Sequence, residues 1–273
     1  WETEDEPSYQ WRKPLEPRLT PDIIRNSYRF LREIDPKHGV YLNHSPTNLV
    51  STLRQYNPGG DFIAMDIYPV IPHGIRLSYA LWDDGRQGDL LNTHISQVGQ
   101  YTDKMRQVAG PNRSVFMVLQ AFAWEMLQSK DRDPKMVLYP TRSQLRFMNY
   151  QSIVHGANGV VYWGLTFTPA GHPFWDDLAA ATKELATIQD ALSARPAAVP
   201  VKKQYHDIGH SLDKGIELIV KPAKDGDILI AVNADSNPVD VTLSGLSKYK
   251  TVKTLFESRP ATLVQGSIRE TFA

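Results

Sequence analysis

Apolar and polar positions change their period twice along this chain. From Asp22 to about Ile34, the residues Ile23, Ile24, Tyr28, Phe30 and Leu31 recur near helical spacing. Thr20-Pro21-Asp22 supplies an N-cap, an N1 proline and an acidic first turn, and Asp35-Pro36 stops the helix. Short apolar runs and longer amphipathic ones then alternate. Gly39 to Leu42 reads as a buried strand running into a polar loop, Asn43-His44-Ser45-Pro46, with a helix predicted over about 46–56. Phe62 to Pro69 is an apolar strand whose end presents Asp66 and Tyr68. A loop from Val70 to about Leu90 follows, and loops that long are usually functional or disordered. A helix is predicted over 91–108, then the clearest buried strand, Ser114 to Phe122, with Trp124 and Glu125 in the loop beyond. Pro140-Thr141-Arg142 opens another helix, Val160 to Gly164 is the next strand, and a last helix is predicted over about 174–194.

Past Pro196–Pro200 the period shortens. Strands are predicted over 216–221, 227–233, 238–243, 249–257 and 262–266, and the closing 268–273 reads as the approach to one more. That pattern predicts a small antiparallel β-sandwich over 196–273. Residues 1–195 read as a strand end, four helix–strand alternations and a closing helix, which implies an α/β fold of parallel βαβ units. No Gly-rich fingerprint follows any strand, and polar residues gather where strands end. Both points favour a (β/α)₈ TIM-barrel type, strands four to eight, over a doubly wound sheet.

Composition narrows the partners. Lys+Arg and Asp+Glu both number 30, so the zero net charge gives no case for nucleic acid or an anionic membrane. Cysteine is absent, which excludes disulfides and thiol catalysis. No apolar run reaches the roughly 18 residues of a membrane span. The eight His form no metal-ligand pair, so neither metal nor cofactor is expected. A Gly-x-Ser-x-Gly elbow is lacking, which argues against an α/β-hydrolase. The chain starts without Met or signal peptide, so it is expected to be processed or a piece of a longer protein, in an extracellular or periplasmic setting.

Candidate chemistry concentrates at predicted strand ends. Asp5-Glu6-Pro7 precedes a Pro-rich loop, Trp11 to Leu19, and the first long helix. A Glu beside Asp has its proton held more tightly by the like charge, and burial adds to this. The plain alternative is that Glu2, Glu4, Asp5 and Glu6 form a solvated acidic terminus. Asp66 interrupts an apolar strand, where an unpaired charge is costly. Tyr68, Phe122, Trp124 and Trp163 end or follow strands on the same rim and suit stacking on a ligand. Asn43 and His44 are candidate hydroxyl partners.

Taken in order, Asp5-Glu6-Pro7, Met65-Asp66-Ile67-Tyr68-Pro69, Val118-Leu119-Gln120-Ala121-Phe122, His155-Gly156-Ala157 and Val161-Tyr162-Trp163 resemble the strand ends of a bacterial glycoside hydrolase barrel. In that resemblance they are the ends of strands four, six, seven and eight, with Leu42 near the end of strand five. The β-module resembles the small sandwich that often follows such barrels. The resemblance implies hydrolysis of O-glycosidic bonds in an oligo- or polysaccharide, with Glu6 as general acid. Two positions depart from the family pattern: Asp5 stands in place of Asn, and Gln120 in place of the nucleophilic Glu. A Gln cannot be the nucleophile, which leaves Gln120 a substrate-binding candidate.

Three candidates remain for the second group: Asp66, ranked first; Glu125, folding back from its loop; or Asp5, orienting a substrate N-acetyl group as in substrate-assisted hexosaminidases. The rival from another class is a non-catalytic carbohydrate-binding or scaffold barrel. An isomerase or lyase is disfavoured, because no Lys or metal cluster sits at a strand end. A half-barrel exposes strand edges and apolar surface, so a homodimer or packing against a missing N-terminal half is expected.

Overall fold

The computed structural model describes residues 1–9, 16–72 and 94–273. Most of the Pro-rich stretch, most of the loop predicted over 70–90 and the start of the helix predicted at Leu91 lie outside them. The chain divides into two compact units, Trp1–Ala179 and Ala180–Ala273.

In the first unit, strands β1 (Tyr41–His44), β2 (Phe62–Ile67), β3 (Ser114–Gln120) and β4 (Gly159–Trp163) form one parallel sheet in chain order. Helices α1 (Pro21–Ile34), α2 (Val50–Arg54), α3 (Gln97–Ala109) and α4 (Arg142–Val154) alternate with them. Mixed α/β architecture around a parallel sheet is therefore what the alternating periods build. Beside β1 the chain start adds a strand-like edge: Glu2 bridges to Tyr41 in parallel, and Tyr41 N donates to Trp1 O at 2.7 Å.

Register sorts the side chains. Leu42, His44, Ile63, Met65, Ile67, Val115, Met117 and Leu119 share one face, and each is less than 5% exposed. α3 packs over β2 and β3, and α4 over β3 and β4. Burying a large apolar side chain is worth about 1.5–3 kcal/mol, so this face carries most of the sheet's hydrophobic stabilisation. The opposite face carries Asn43, Ala64, Asp66, Val118, Gln120, Val161 and Trp163, and there Val161 and Trp163 are 40% and 42% exposed.

Several boundaries differ from expectation. β1 runs on through Asn43 and His44, predicted as loop, because its ladder continues to Ala64 and Met65. α2 is shorter than predicted and gives way to a 3₁₀ turn at Asn57–Gly59. α4 opens with a capping box: Gln144 N donates to Thr141 Oγ1 while Thr141 N donates to Gln144 Oε1. The final predicted helix is two, α5 (Phe174–Thr187) and α6 (Gln189–Ser193), parted at Ile188, whose φ of −111° and ψ of 18° leave the helical region.

The second unit holds β5 (Lys202–His206), β6 (Ile216–Lys221), β7 (Ile228–Asn233), β8 (Val239–Ser244) and β9 (Ile268–Phe272). They form two antiparallel sheets, ordered β5-β8-β9 and β6-β7. Ile216, Val239, Val241 and Leu243 make the core, with Tyr205, Leu218, Leu229 and Phe272 against it. The strands predicted over 249–257 and 262–266 do not form. Phe256 and Gln265 adopt left-handed φ of 64° and 49°, and 264–267 closes as a tight bridged turn.

Candidate active site

Glu6 sits at a strained corner. Its φ of 47° is left-handed, uncommon for a residue with a Cβ, and the turn is closed by Tyr9 N donating to Glu6 O at 3.0 Å. The next two residues, Pro7 and Ser8, are buried. Leu19 N donates to Pro7 O at 3.0 Å, and Asn48 Nδ2 donates to Ser8 O at 2.7 Å. A strained conformation persists only where its surroundings over-determine it, and these bonds hold the corner beside the end of β1. The acidic terminus is thus not a freely solvated tail.

β1 and β2 complete the constellation. Asn43, 4% exposed, donates through Nδ2 to Asp5 Oδ1 at 2.9 Å and to Asp66 Oδ1 at 2.8 Å. Burial, then the charges of Asp66 and Asp5, push the Glu6 carboxyl up to about 8 against the pull of Arg18. Burial likewise lifts Asp66 to about 7, opposed by Tyr68 and Asn43 and assisted by Asp5 and Glu2. The Tyr68 hydroxyl, buried beside Asp66, meets no partner of good hydrogen-bond geometry, yet its dipole lies near enough to favour the ionised carboxylate. Burial and this negative field push the phenols of Tyr41 and Tyr68 well above the usual tyrosine range. Burial and Asp5 also raise Glu2. At neutral pH the arrangement keeps a proton on Glu6 with an ionisable partner beside it, and poised pairs of this kind mark functional sites.

The aromatic candidates do assemble. Tyr68 stacks on Trp163 with centroids 5.5 Å apart and planes at 24°, and Phe122 and Trp124 meet Tyr68 edge-on at 5.1 and 6.2 Å. Their roles differ. Phe122 is fully buried and fills the cluster, seated over Gly164, where an added Cβ would strike its ring at 2.4 Å. Trp124 is tied by Nε1 to Tyr68 O at 3.3 Å. Trp163 remains 42% exposed, with Tyr68 stacked on it.

Three candidates are placed elsewhere. His44 is fully buried on the helix-covered face, against the edge of Tyr56, so it cannot meet a sugar hydroxyl there. Strand alternation sends adjacent residues to opposite faces, and His44 follows Asn43. Gln120 is fully buried and spent on backbone: Val70 N donates to Oε1 at 2.8 Å, while Nε2 donates to Val70 O and Phe122 O at 2.9 and 3.0 Å. It is a clamp rather than a ligand group. Glu125 is fully buried in the turn Trp124–Leu127 and accepts from Asp133 N at 2.5 Å, and it is not among the charges acting on Glu6 or Asp66. Sequence reasoning passed over Tyr41 and Glu2. Tyr41 lies two residues before Asn43, on its face, and that spacing was the available signal. Among the described residues no group of three or more His, Asp or Glu is arranged to hold a metal ion, and no helix is long and apolar enough to cross a membrane.

No family model and no curated protein matches the chain. Among solved structures it is similar to a β-galactosidase from the Antarctic haloarchaeon Halorubrum lacusprofundi, at 20% identity and TM-score 0.40, over 61% of this chain and 25% of that one. It is similar to a β-galactosidase from the psychrophilic Marinomonas ef1 at 17% identity and TM-score 0.42, over 65% and 29%. A family 30 subfamily 8 xylanase from Clostridium acetobutylicum aligns at 10% identity and TM-score 0.43, over 99% and 62%. The chain thus spans between a quarter and a third of the two galactosidases. Likeness this slight carries no argument about this chain.

Proposed function

We propose that the chain is the carboxylate-bearing part of a glycoside hydrolase, with 1–195 a portion of a (β/α)₈ barrel and 196–273 a β-sandwich. One observation carries the reading: Glu6, pushed up to about 8, lies with Asp5 and Asp66 at the C-terminal edge of a parallel sheet. Glycosidic cleavage needs a protonated carboxyl to give its proton to the leaving oxygen as the C–O bond breaks, and an anion for the oxocarbenium-like centre. Glu6 fits the first task. Asp66 fits the second best and Asp5 next, while the burial of Glu125 removes support from it. The exposed Trp163 is suited to stacking on a sugar ring. The exposed Val161 and Trp163 also support the expected association with a second copy or a further barrel half, which light scattering checks.

The test is a panel of aryl glycosides. Wild type hydrolyses at least one, and Glu6→Gln lowers kcat/KM by about 10²–10⁴-fold, least for the best leaving groups. The spent Gln120 favours a second reading, a carbohydrate-binding protein without turnover. Sugar binding with no hydrolysis across the panel would decide for it.

A further inference from the structure

Three carboxylates crowd the ends of β1 and β2, and one neutral side chain serves two of them. Both amide hydrogens of Asn43 are committed, one to Asp5 and one to Asp66. They leave a single planar nitrogen in divergent directions, which holds the two acceptor oxygens apart yet within about 6 Å of each other. The amide has only one workable orientation, since turning it over would aim Oδ1 at two carboxylates. That preference prevails although Asn43 Oδ1 is itself buried without a partner, a cost of about 1–3 kcal/mol. Glu6, by contrast, makes no side-chain hydrogen bond among the described residues.

A carboxylate that accepts an amide N–H is favoured in its ionised form, and a neighbour that lacks one is left to carry the proton. We infer that Asn43 is a positioning residue that partitions the proton of this cluster, favouring the ionised form of Asp66 so that the proton resides preferentially on Glu6. The groups around it pull both ways. Glu2 and Asp5 face Asp66 from the chain start and favour a proton there, whereas Tyr68, from the end of β2, works with Asn43 to favour the ionised form; Tyr41, from β1, lies in the same negative field. Arg18 and Tyr9 are the groups facing Glu6 from the far side. Asn43 is the neutral donor that bonds two of the three carboxylates and leaves Glu6 without one. Its catalytic meaning rests on the glycosidase reading, but its test does not.

The experiment follows the carboxyl carbons of ¹³C-labelled Asp and Glu through a pH titration of the full chain, in wild type, Asn43→Leu and Asn43→Ser. In Asn43→Leu the Asp66 midpoint moves up from about 7 by about one pH unit or more, and that of Glu6 moves down from about 8. Asn43→Ser, which keeps one donor, gives smaller shifts of the same signs. A residue with a merely structural role would lower Tm and leave both midpoints in place, and that result overturns the proposal. Should neither variant fold, wild type still decides. The Asn43 side-chain amide protons should follow the Asp66 titration more strongly than the Glu6 one, and the reverse overturns the assignment. If the opposite shifts appear but no glycoside is hydrolysed, the glycosidase reading fails and the proton partition stands.

Discussion

The ends of β2 and β3 lie side by side on one face of the sheet, and each presents a polar residue there, Asp66 and Gln120. They use it in opposite ways. Gln120 has its amide satisfied by the backbone of Val70 and Phe122, so its polarity is consumed in fixing the loop beyond β2. Asp66 receives one firm hydrogen bond, from Asn43, and is otherwise exposed to the field of Asp5 and Glu2. A satisfied buried group stabilises and rigidifies; an under-satisfied one remains able to exchange a proton. The contrast separates the part of the rim that holds shape from the part that can do chemistry.

The largest expected effect is at Asp66. Asp66→Asn removes the ionisable partner while keeping shape, so hydrolysis falls on the order of 10³-fold with little loss of Tm. An unchanged rate would move the second catalytic role to Asp5. At Gln120 the pattern inverts. Gln120→Glu removes the donor to Val70 O and Phe122 O and buries a charge, costing about 3 kcal/mol or more, roughly 10 °C in Tm. It gains no activity, although it restores the residue type that the resemblance leads one to expect. Increased hydrolysis by Gln120→Glu would break the comparison. The smallest effect is at His44, whose burial depresses it to about 3. The folded state resists a proton that the unfolded chain takes up near pH 6.5, so this site's stability is complete above pH 6.5 and is lost as pH falls toward 3. His44→Leu flattens that acid limb in a series of urea melts and changes stability at pH 7.5 by less than about 1.5 kcal/mol.

The parallel sheet was legible because β2 and β3 are continuous apolar runs with polar ends. β5 was not: Lys-Lys-Gln-Tyr-His lacks an apolar face, and only pairing with β8 makes it a strand. The opposite error fell on 249–257, where apolar residues recur but a left-handed Phe256 interrupts the backbone. At the site, residue types were legible and orientations were not. Asn43 and His44 were read together as loop partners for a sugar, whereas one extra pair of rungs on the β1 ladder sends them to opposite faces. Gln120 looked like a ligand group because nothing in the sequence announces that Val70 lies against it. The left-handed backbone at Glu6 was equally hidden, since a residue that departs from local preference is held there by tertiary contacts.

Everything proposed for this site requires that Glu6 keep its proton at neutral pH. The direct measurement is the ¹³C carboxyl titration of Glu6 in the wild-type chain, alongside stability against pH. The account predicts a midpoint near 8. The folded state then binds this proton more tightly than the unfolded chain, so the stability it contributes is full below about pH 4.5 and is lost as pH rises toward 8, a slope that Glu6→Gln removes. A midpoint near 4.5, with no such slope, would return Asp5-Glu6 to an ordinary acidic surface and contradict the account.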